Sequence, residues 1–347
     1  MINTILPPPI KRGDTLALFS PSSPGERKFP LQYEYGKKML RKMGYRLIDT
    51  YNKSETSDYR SSSPKNRSEQ IHKLMKDNSV KGILCNIGGY NTIEMLPYLD
   101  FDLIKSHPKF ICGYSDSSVL LNAIFYRSHL VTFHGPMVIS SFGEYPAPFD
   151  FTVEQFQYMA QQTIQTPYNF PNPDVWTDEF IDWTGPNWGT QTKTLHQNLG
   201  PKWIYKSQEP KQGILVGGNT DSLLNIINTE FLEIPYGSIL FIEDTSVSLE
   251  RWAMLIWALK IRGIFQRING LLIGKIEGMP AVTKSKMKNI ILEIAEIENL
   301  DIPIVAELDI GHTAPMLCLP IGSIIKLDSN NESLILQKLC TTLDRRH

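Results

Sequence analysis

Cysteine is scarce in this chain: Cys85, Cys112, Cys318 and Cys340 are scattered through 347 residues, and none forms a Cys-x-x-Cys pair. That spacing argues against a disulfide framework and against a cysteine-based zinc site. Three of the four stand in apolar runs and read as reduced core residues of a cytosolic protein. The seven histidines show no His-Glu-x-x-His and no Cys/His cluster, so no metal and no other cofactor is expected. An excess of charge is also missing. With 35 basic and 36 acidic residues the formal net charge is -1, which removes the bulk attraction that nucleic acid or an anionic membrane would need. No apolar run approaches the roughly 20 residues that cross a bilayer. The opening stretch, Met1 to Lys11, lacks a charged-then-apolar signal pattern, which adds to the expectation of a cytoplasmic protein. No Gly-x-Gly-x-x-Gly and no Walker A loop is present, so a nucleotide-phosphate cradle is not expected either.

What is present is an alternation of strand and helix patterns. Thr15–Ser20, Tyr45–Thr50, Gly82–Ile87, Phe110–Gly113 and Val131–His134 read as short buried strands. Residues 32–43 and the segment opening at Ser68 have helical spacing between them, with a polar serine-rich loop at Ser54–Lys65. The order argues for an α/β fold with a parallel sheet covered on both faces, over residues 1–140. Residues 141–212 hold prolines, polar residues and aromatics with little apolar periodicity, and read as a linker and an aromatic-rich loop. Phe142 and Trp203 read as core; Trp183 and Trp188 fit either core or a stacking surface for a planar ligand. Regular patterning returns over 213–347 as a second, smaller domain, with Leu319–Leu327 read as β-hairpin material.

In a parallel sheet the ligand site lies beyond the carboxyl ends of the strands. Gly88-Gly89-Tyr90-Asn91 and Gly113-Tyr114-Ser115-Asp116 both fall there. A serine at a sharp strand-to-helix turn holds its hydroxyl out of the sheet, beside free backbone N–H groups. Ser115 or Asp116 could equally cap the helix that follows. Glu243-Asp244 ends another apolar run, where it fits a helix N-terminus, and His312 follows a glycine in a polar loop, where it fits a structural histidine. A serine nucleophile needs a base, and the base needs an orienting carboxylate. Ser115, His312 and Glu243 supply those three residue types, although spacing alone does not make them meet.

Pro-Lys-x-x-x-Gly-Tyr-Ser-Asp at 108–116, Gly-Gly-Tyr at 88–90, Gly-Gly-Asn at 217–219, Leu-Phe-Ile-Glu-Asp at 240–244 and the late Gly-His at 311–312 resemble, in order and spacing, the LD-carboxypeptidase serine peptidases. The resemblance implies a Ser115–Glu243–His312 triad and an oxyanion hole from the backbone N–H groups of Gly89 and Asp116. It implies an N-terminal parallel-sheet α/β domain and a smaller C-terminal β-rich α/β domain with the active site at their junction, no metal, and a homodimer. Two branches of that family differ in substrate. One trims the terminal D-alanine from murein tetrapeptides. The other, the microcin C immunity (MccF-like) branch, cleaves the amide between an aminoacyl group and a nucleotide-like moiety. The aromatic-rich insertion and the chain length are more similar to the second branch, so the expected partner is a small aminoacyl-nucleotide or peptide. Substrate contacts implied by the resemblance are Trp183, with Trp188 second, Tyr90 and Asn219. The sequence departs from many relatives in having Asn91 after Gly-Gly-Tyr and Ser117-Ser118 after the elbow. Two other readings are a catalytically inactive binding protein, and a cysteine enzyme using Cys112 or Cys85. The first is weighed down by retention of all three triad residues, the second by the apolar setting of both thiols.

Overall fold

Side chains buried on both faces of a strand require a sheet with cover on both sides, and the first third of the chain supplies such strands. In the computed structural model, which describes residues 3–52, 56–161 and 165–342, every residue of β1 (Thr15–Phe19) and of β4 (Phe110–Gly113) is buried. The serine-rich loop expected at 54–65 lies partly outside the described residues, as do residues 343–347 of the last expected domain. With β2 (Arg46–Asp49), β3 (Val80–Cys85) and β5 (Thr132–His134), these strands run parallel in the order β5-β4-β3-β1-β2. Helices Pro30–Lys42, Pro64–Lys76 and Ser117–Ser128 make crossovers between them. The second starts cleanly because Ser63 accepts a hydrogen bond from the Asn66 N–H and proline fills the first turn.

The second sheet draws on β6 (Tyr168–Asn169), β9 (Lys202–Tyr205), β10 (Lys211–Asn219), β11 (Ser238–Glu243), β12 (Ile268–Gly274), β13 (Ile304–Leu308), β15 (Ile324–Asp328) and β16 (Ser333–Leu336). The order is β6-β16-β15-β10-β11-β12-β13-β9, with β10 to β13 parallel and the flanking pairs antiparallel. Helices Leu249–Ile261 and Ala281–Ile297 supply the crossovers. Strands β7 (Val175–Trp176) and β8 (His196–Gln197) form a separate two-stranded ribbon.

Two expectations change. The remaining strand, β14 (Leu319–Ile321), does not form a hairpin with β15: it pairs antiparallel with β5 and becomes the edge of the first sheet. Pro320, which has no N–H to give to a ladder, is tolerated there because the strand is at an edge. The stretch 141–212 is also less irregular than its composition suggests. It contains the helix Asp150–Gln161, whose Thr152, Gln155, Phe156, Met159 and Ala160 are buried at helical spacing. Phe142 is fully buried and Trp203 half-buried, as core residues.

The sheets are joined where the site lies. Asn122, on helix Ser117–Ser128, donates to the Gly217 carbonyl at 2.8 Å and accepts from the Gly217 N–H at 3.2 Å. One turn earlier, the Ser118 hydroxyl accepts from the Asn219 N–H at 3.2 Å. Buried amide pairs of this kind fix relative position, because breaking one leaves an unpaired polar group away from water.

Candidate active site

Ser115 sits between β4 and helix Ser117–Ser128 with φ of 59°, the left-handed region that non-glycine residues avoid. That turn costs about 1 kcal/mol and persists because the strand before it and the helix after it fix both ends. The helix-cap reading of this stretch is not realised. Asp116 occupies the cap position without a side-chain cap bond. Its Oδ2 instead accepts from the Ser22 hydroxyl at 2.6 Å, from the Asn91 and Thr92 N–H groups at 2.9 Å each, and from the Thr92 hydroxyl at 2.8 Å. The buried Asp116 carboxylate therefore ties the Gly88-Gly89-Tyr90 turn to the elbow. Arg67, fully buried, extends the brace by donating to the Asn91 side chain at 2.7 Å and to Glu94 at 2.7 Å. Asn91, a departure at the sequence level, is thus a structural member of this turn.

The Ser115 hydroxyl lies 3.1 Å from His312 Nε2, and His312 Nδ1 lies 2.6 Å from Glu243 Oε2. Glu243 is the last residue of β11 and is fully buried. Burial pushes its carboxyl up, but the His312 charge and hydrogen bond more than offset this and hold it below the usual range. For His312 burial opposes the charged form, while Glu243 outweighs it and raises the imidazole above its ordinary value. Two glycines make the approach possible. A Cβ at Gly88 would stand 2.7 Å from the Ser115 Oγ, and one at Gly311, where φ is +96°, would collide with the Glu243 carboxylate. Tyr114 is buried with its ring edge-on to His312 at 5.1 Å. Among the described residues neither the Gly89 nor the Asp116 backbone N–H has a hydrogen-bond partner.

The other residues singled out in the sequence lie in different settings. Tyr90 is 90% exposed at the tip of the diglycine turn. Asn219 uses its Oδ1 to cap the short helix Thr220–Leu223, accepting from the Ser222 N–H and hydroxyl, and its Nδ2 reaches Asp244 at 3.4 Å. Trp183 packs edge-on against Phe29 at 4.9 Å and beside Phe180 at 5.4 Å, and its carbonyl accepts from Gln32. Trp188 lies near Tyr35 and Tyr145 at 6.1 and 6.4 Å. Both indoles are thus half-buried beside the approach to helix Pro30–Lys42 or on it, while Phe180 is left exposed. Cys85 and Cys112 are fully buried; burial pushes the Cys85 thiol to about 12 and raises Cys112 well above its ordinary value, so neither suits a thiolate nucleophile. No group of three or more His, Cys, Asp or Glu side chains placed to hold a metal occurs among the described residues. No helix there is long and apolar enough to cross a membrane.

The side chain of Asp116 is what sequence reasoning missed. Its partners lie between 24 and 94 positions away, so no local signal could have shown them. Asp244, read from the sequence with Glu243 as a pair at a helix N-terminus, has a setting that the local sequence does not show. It is buried, and burial together with the Glu243 charge raises its carboxyl to about 7.

Comparison with known proteins gives two family matches: the LD-carboxypeptidase N-terminal domain over residues 16–135 and the LD-carboxypeptidase C-terminal domain over residues 212–327. The chain is 32% identical over 338 residues to the microcin C7 self-immunity protein MccF of Escherichia coli, covering 95% of each. It is 25% identical over 332 residues to a probable murein peptide carboxypeptidase of Bacillus subtilis, covering 95% of this chain and 94% of that one. Among solved structures it is similar to MccF in complex with glutamyl sulfamoyl guanosine, with a TM-score of 0.88 and 30% identity over 97% of this chain and 99% of that one. A second MccF structure, with aspartyl sulfamoyl adenosine, matches equally well, over 97% and 100% of the two chains.

Proposed function

The chain belongs to the LD-carboxypeptidase family, in its MccF-like part, and from that premise we propose that it is a serine hydrolase working through Ser115, His312 and Glu243. The observation that carries this reading is the unbroken hydrogen-bonded line from the Ser115 hydroxyl through His312 to the buried Glu243 carboxylate. His312 Nε2 takes the Ser115 proton as the oxygen attacks a scissile amide carbonyl. Glu243 fixes the tautomer that leaves Nε2 free and stabilises the imidazolium that forms. The Gly89 and Asp116 N–H groups receive the oxyanion, in the turn that the Asp116 carboxylate holds against the elbow. His312 then gives its proton to the leaving nitrogen, and water, activated by the same base, hydrolyses the acyl-enzyme.

The substrate in this proposal is an aminoacyl group joined by an amide-like bond to a nucleotide-like moiety, as in microcin C-type self-immunity or detoxification. Support comes from the likeness, over nearly the whole chain, to a protein solved with aminoacyl sulfamoyl nucleosides. Trp183, Tyr90 and Asn219 are proposed to shape the substrate cleft, Asn219 through the position of Asp244. The protein is proposed to act in the cytoplasm as a homodimer, which light scattering of the purified protein would check. The second reading, murein tetrapeptide trimming, draws on the Bacillus subtilis relative. The test is hydrolysis of aminoacyl-sulfamoyl adenosine and of a murein L,D-tetrapeptide by wild type and Ser115→Ala. Serine-dependent cleavage of the adenosine compound alone is expected. Cleavage of the tetrapeptide alone would replace the substrate assignment.

A further inference from the structure

A cavity of about 430 Å³ in the second sheet's half of the molecule is lined by none of Ser115, Glu243 and His312. A small organic molecule fills that volume. The cavity lies between helix Ala281–Ile297 and the carboxyl ends of β12 and β13, the end of a parallel sheet at which ligands bind. Its floor is apolar: Ile273, Ile276, Met287 and Ile291 are all buried. Its cations are Lys202, Lys284 and Lys288, and none of the three forms an ion pair among the described residues. Lys284 is half-buried and holds its ammonium 4.8 Å from the centre of the Trp176 ring, which also lines the cavity. A ring face positions a cation without neutralising it. Lys275 reaches the same ring at 5.6 Å, but its charge is already committed to Asp309 at 2.6 Å. Glu307 is the one carboxylate among the described lining residues.

We propose that this cavity is a second ligand site, one that binds a small amphipathic organic anion: an apolar body with an anionic group at one end. The apolar floor takes the body out of water. Three cations against one carboxylate leave an excess of positive charge at the rim for the anionic group. Lys284 and Lys288 stand four positions apart on one helix face, above Met287 and Ile291, where like charges repel and an anion between them relieves the repulsion. The helix adds to the same field. Its first turn, which brings Ala281 to the cavity, carries no acidic residue, and its cap residue Pro280 makes no side-chain cap bond. A neutral molecule would leave the lysine repulsion standing, and a cation would add to it. The proposal stands apart from the reading of Ser115 as a nucleophile.

The experiment is a fluorescence titration of the purified protein with two probes, anilinonaphthalene sulfonate and phenylnaphthylamine, which is the same ring system without the sulfonate. Wild type, Lys284→Gln, Lys284→Glu and Ser285→Trp are compared. Ser285 is an exposed lining residue, so a tryptophan there fills the cavity from the surface, and circular dichroism checks that each variant is folded. Wild type is expected to bind the sulfonate roughly tenfold or more tightly than the neutral probe, the scale of one charge-assisted contact. Lys284→Gln should remove most of that preference and Lys284→Glu all of it, through the sulfonate alone, while the neutral probe binds as before. Ser285→Trp should abolish this site for both probes. Added salt should weaken the sulfonate and leave the neutral probe unchanged. Equal binding of the two probes by wild type overturns the assignment of an anion. Sulfonate binding that none of the three variants moves overturns the assignment of the cavity, as does a wild type that binds neither probe.

Discussion

On the first sheet's side of the cleft, Ser115 is placed by backbone geometry: a φ of 59°, a glycine that lets the neighbouring turn lie against its side chain, and a carboxylate that ties that turn down. On the second sheet's side, His312 is placed by charge: Glu243, fully buried, holds it at 2.6 Å and raises its affinity for a proton. A nucleophile needs position more than it needs a shifted pKa, because its base removes the proton only as it attacks. A base needs both, and a buried carboxylate supplies both. The difference says that damage on the two sides should look different: loss of geometry on one, a change in pH dependence on the other.

The largest effect expected is from Ser115→Ala, which removes the attacking atom and should lower kcat by about 10^4 or more, measured on whichever substrate wild type cleaves. Glu243→Gln should follow, with a loss of about 10^3 to 10^4. It should also move the pH profile. His312 must be neutral to act as base, and its pKa lies above the ordinary 6.5 because of Glu243. Wild-type kcat/KM should therefore rise with pH through a value above 6.5, and the residual activity of Glu243→Gln should rise at lower pH. An unmoved profile would mean that another group orients the base. Gly311→Ala, which forces a methyl against the Glu243 carboxylate, should cost roughly ten- to a hundredfold in kcat with a smaller change in KM.

Asp116→Asn sharpens the comparison from the other side. Its amide cannot accept from all the donors that converge on Oδ2. A loss of about 1.5–3 kcal/mol in denaturant unfolding is expected, with a fall in kcat and the pH midpoint unchanged. A shifted midpoint would mean that the turn and the base are not separable. The smallest effect concerns Asp244 and stability. Its carboxyl is raised from 3.8 to about 7, so the folded state holds that proton more tightly than the unfolded chain does. This contribution is complete below pH 3.8 and is lost as pH rises through about 7. Asp244→Asn should flatten that part of the stability profile, read as unfolding midpoints across the window.

The sequence made some of this legible and hid the rest for physical reasons. The elbow was visible because Phe110-Ile111-Cys112 and the helical run from Val119 bracket it within a few residues. Glu243 was visible as the end of an apolar strand. Local pattern does not say which sheet a strand joins, so Leu319–Ile321 looked like half of a hairpin and is an edge of the first sheet. Helix Asp150–Gln161 was hidden because its buried face includes Thr152 and Gln155, which apolar periodicity does not count. The roles of Trp183 and Trp188 were open for a related reason. An aromatic ring in a loop has no period, and only the fold shows that these two lie against Phe29, Tyr35 and Tyr145.

The central claim is that Ser115 is activated by the His312–Glu243 pair, and covalent labelling tests it without knowledge of the substrate. Wild type, His312→Ala and Glu243→Gln would be treated with a fluorophosphonate and the adduct located by peptide mass spectrometry. A single adduct on Ser115 that forms readily in wild type and is nearly lost in both variants is the result expected. An unlabelled wild type, or a Ser115 adduct that forms equally well in all three proteins, would contradict it.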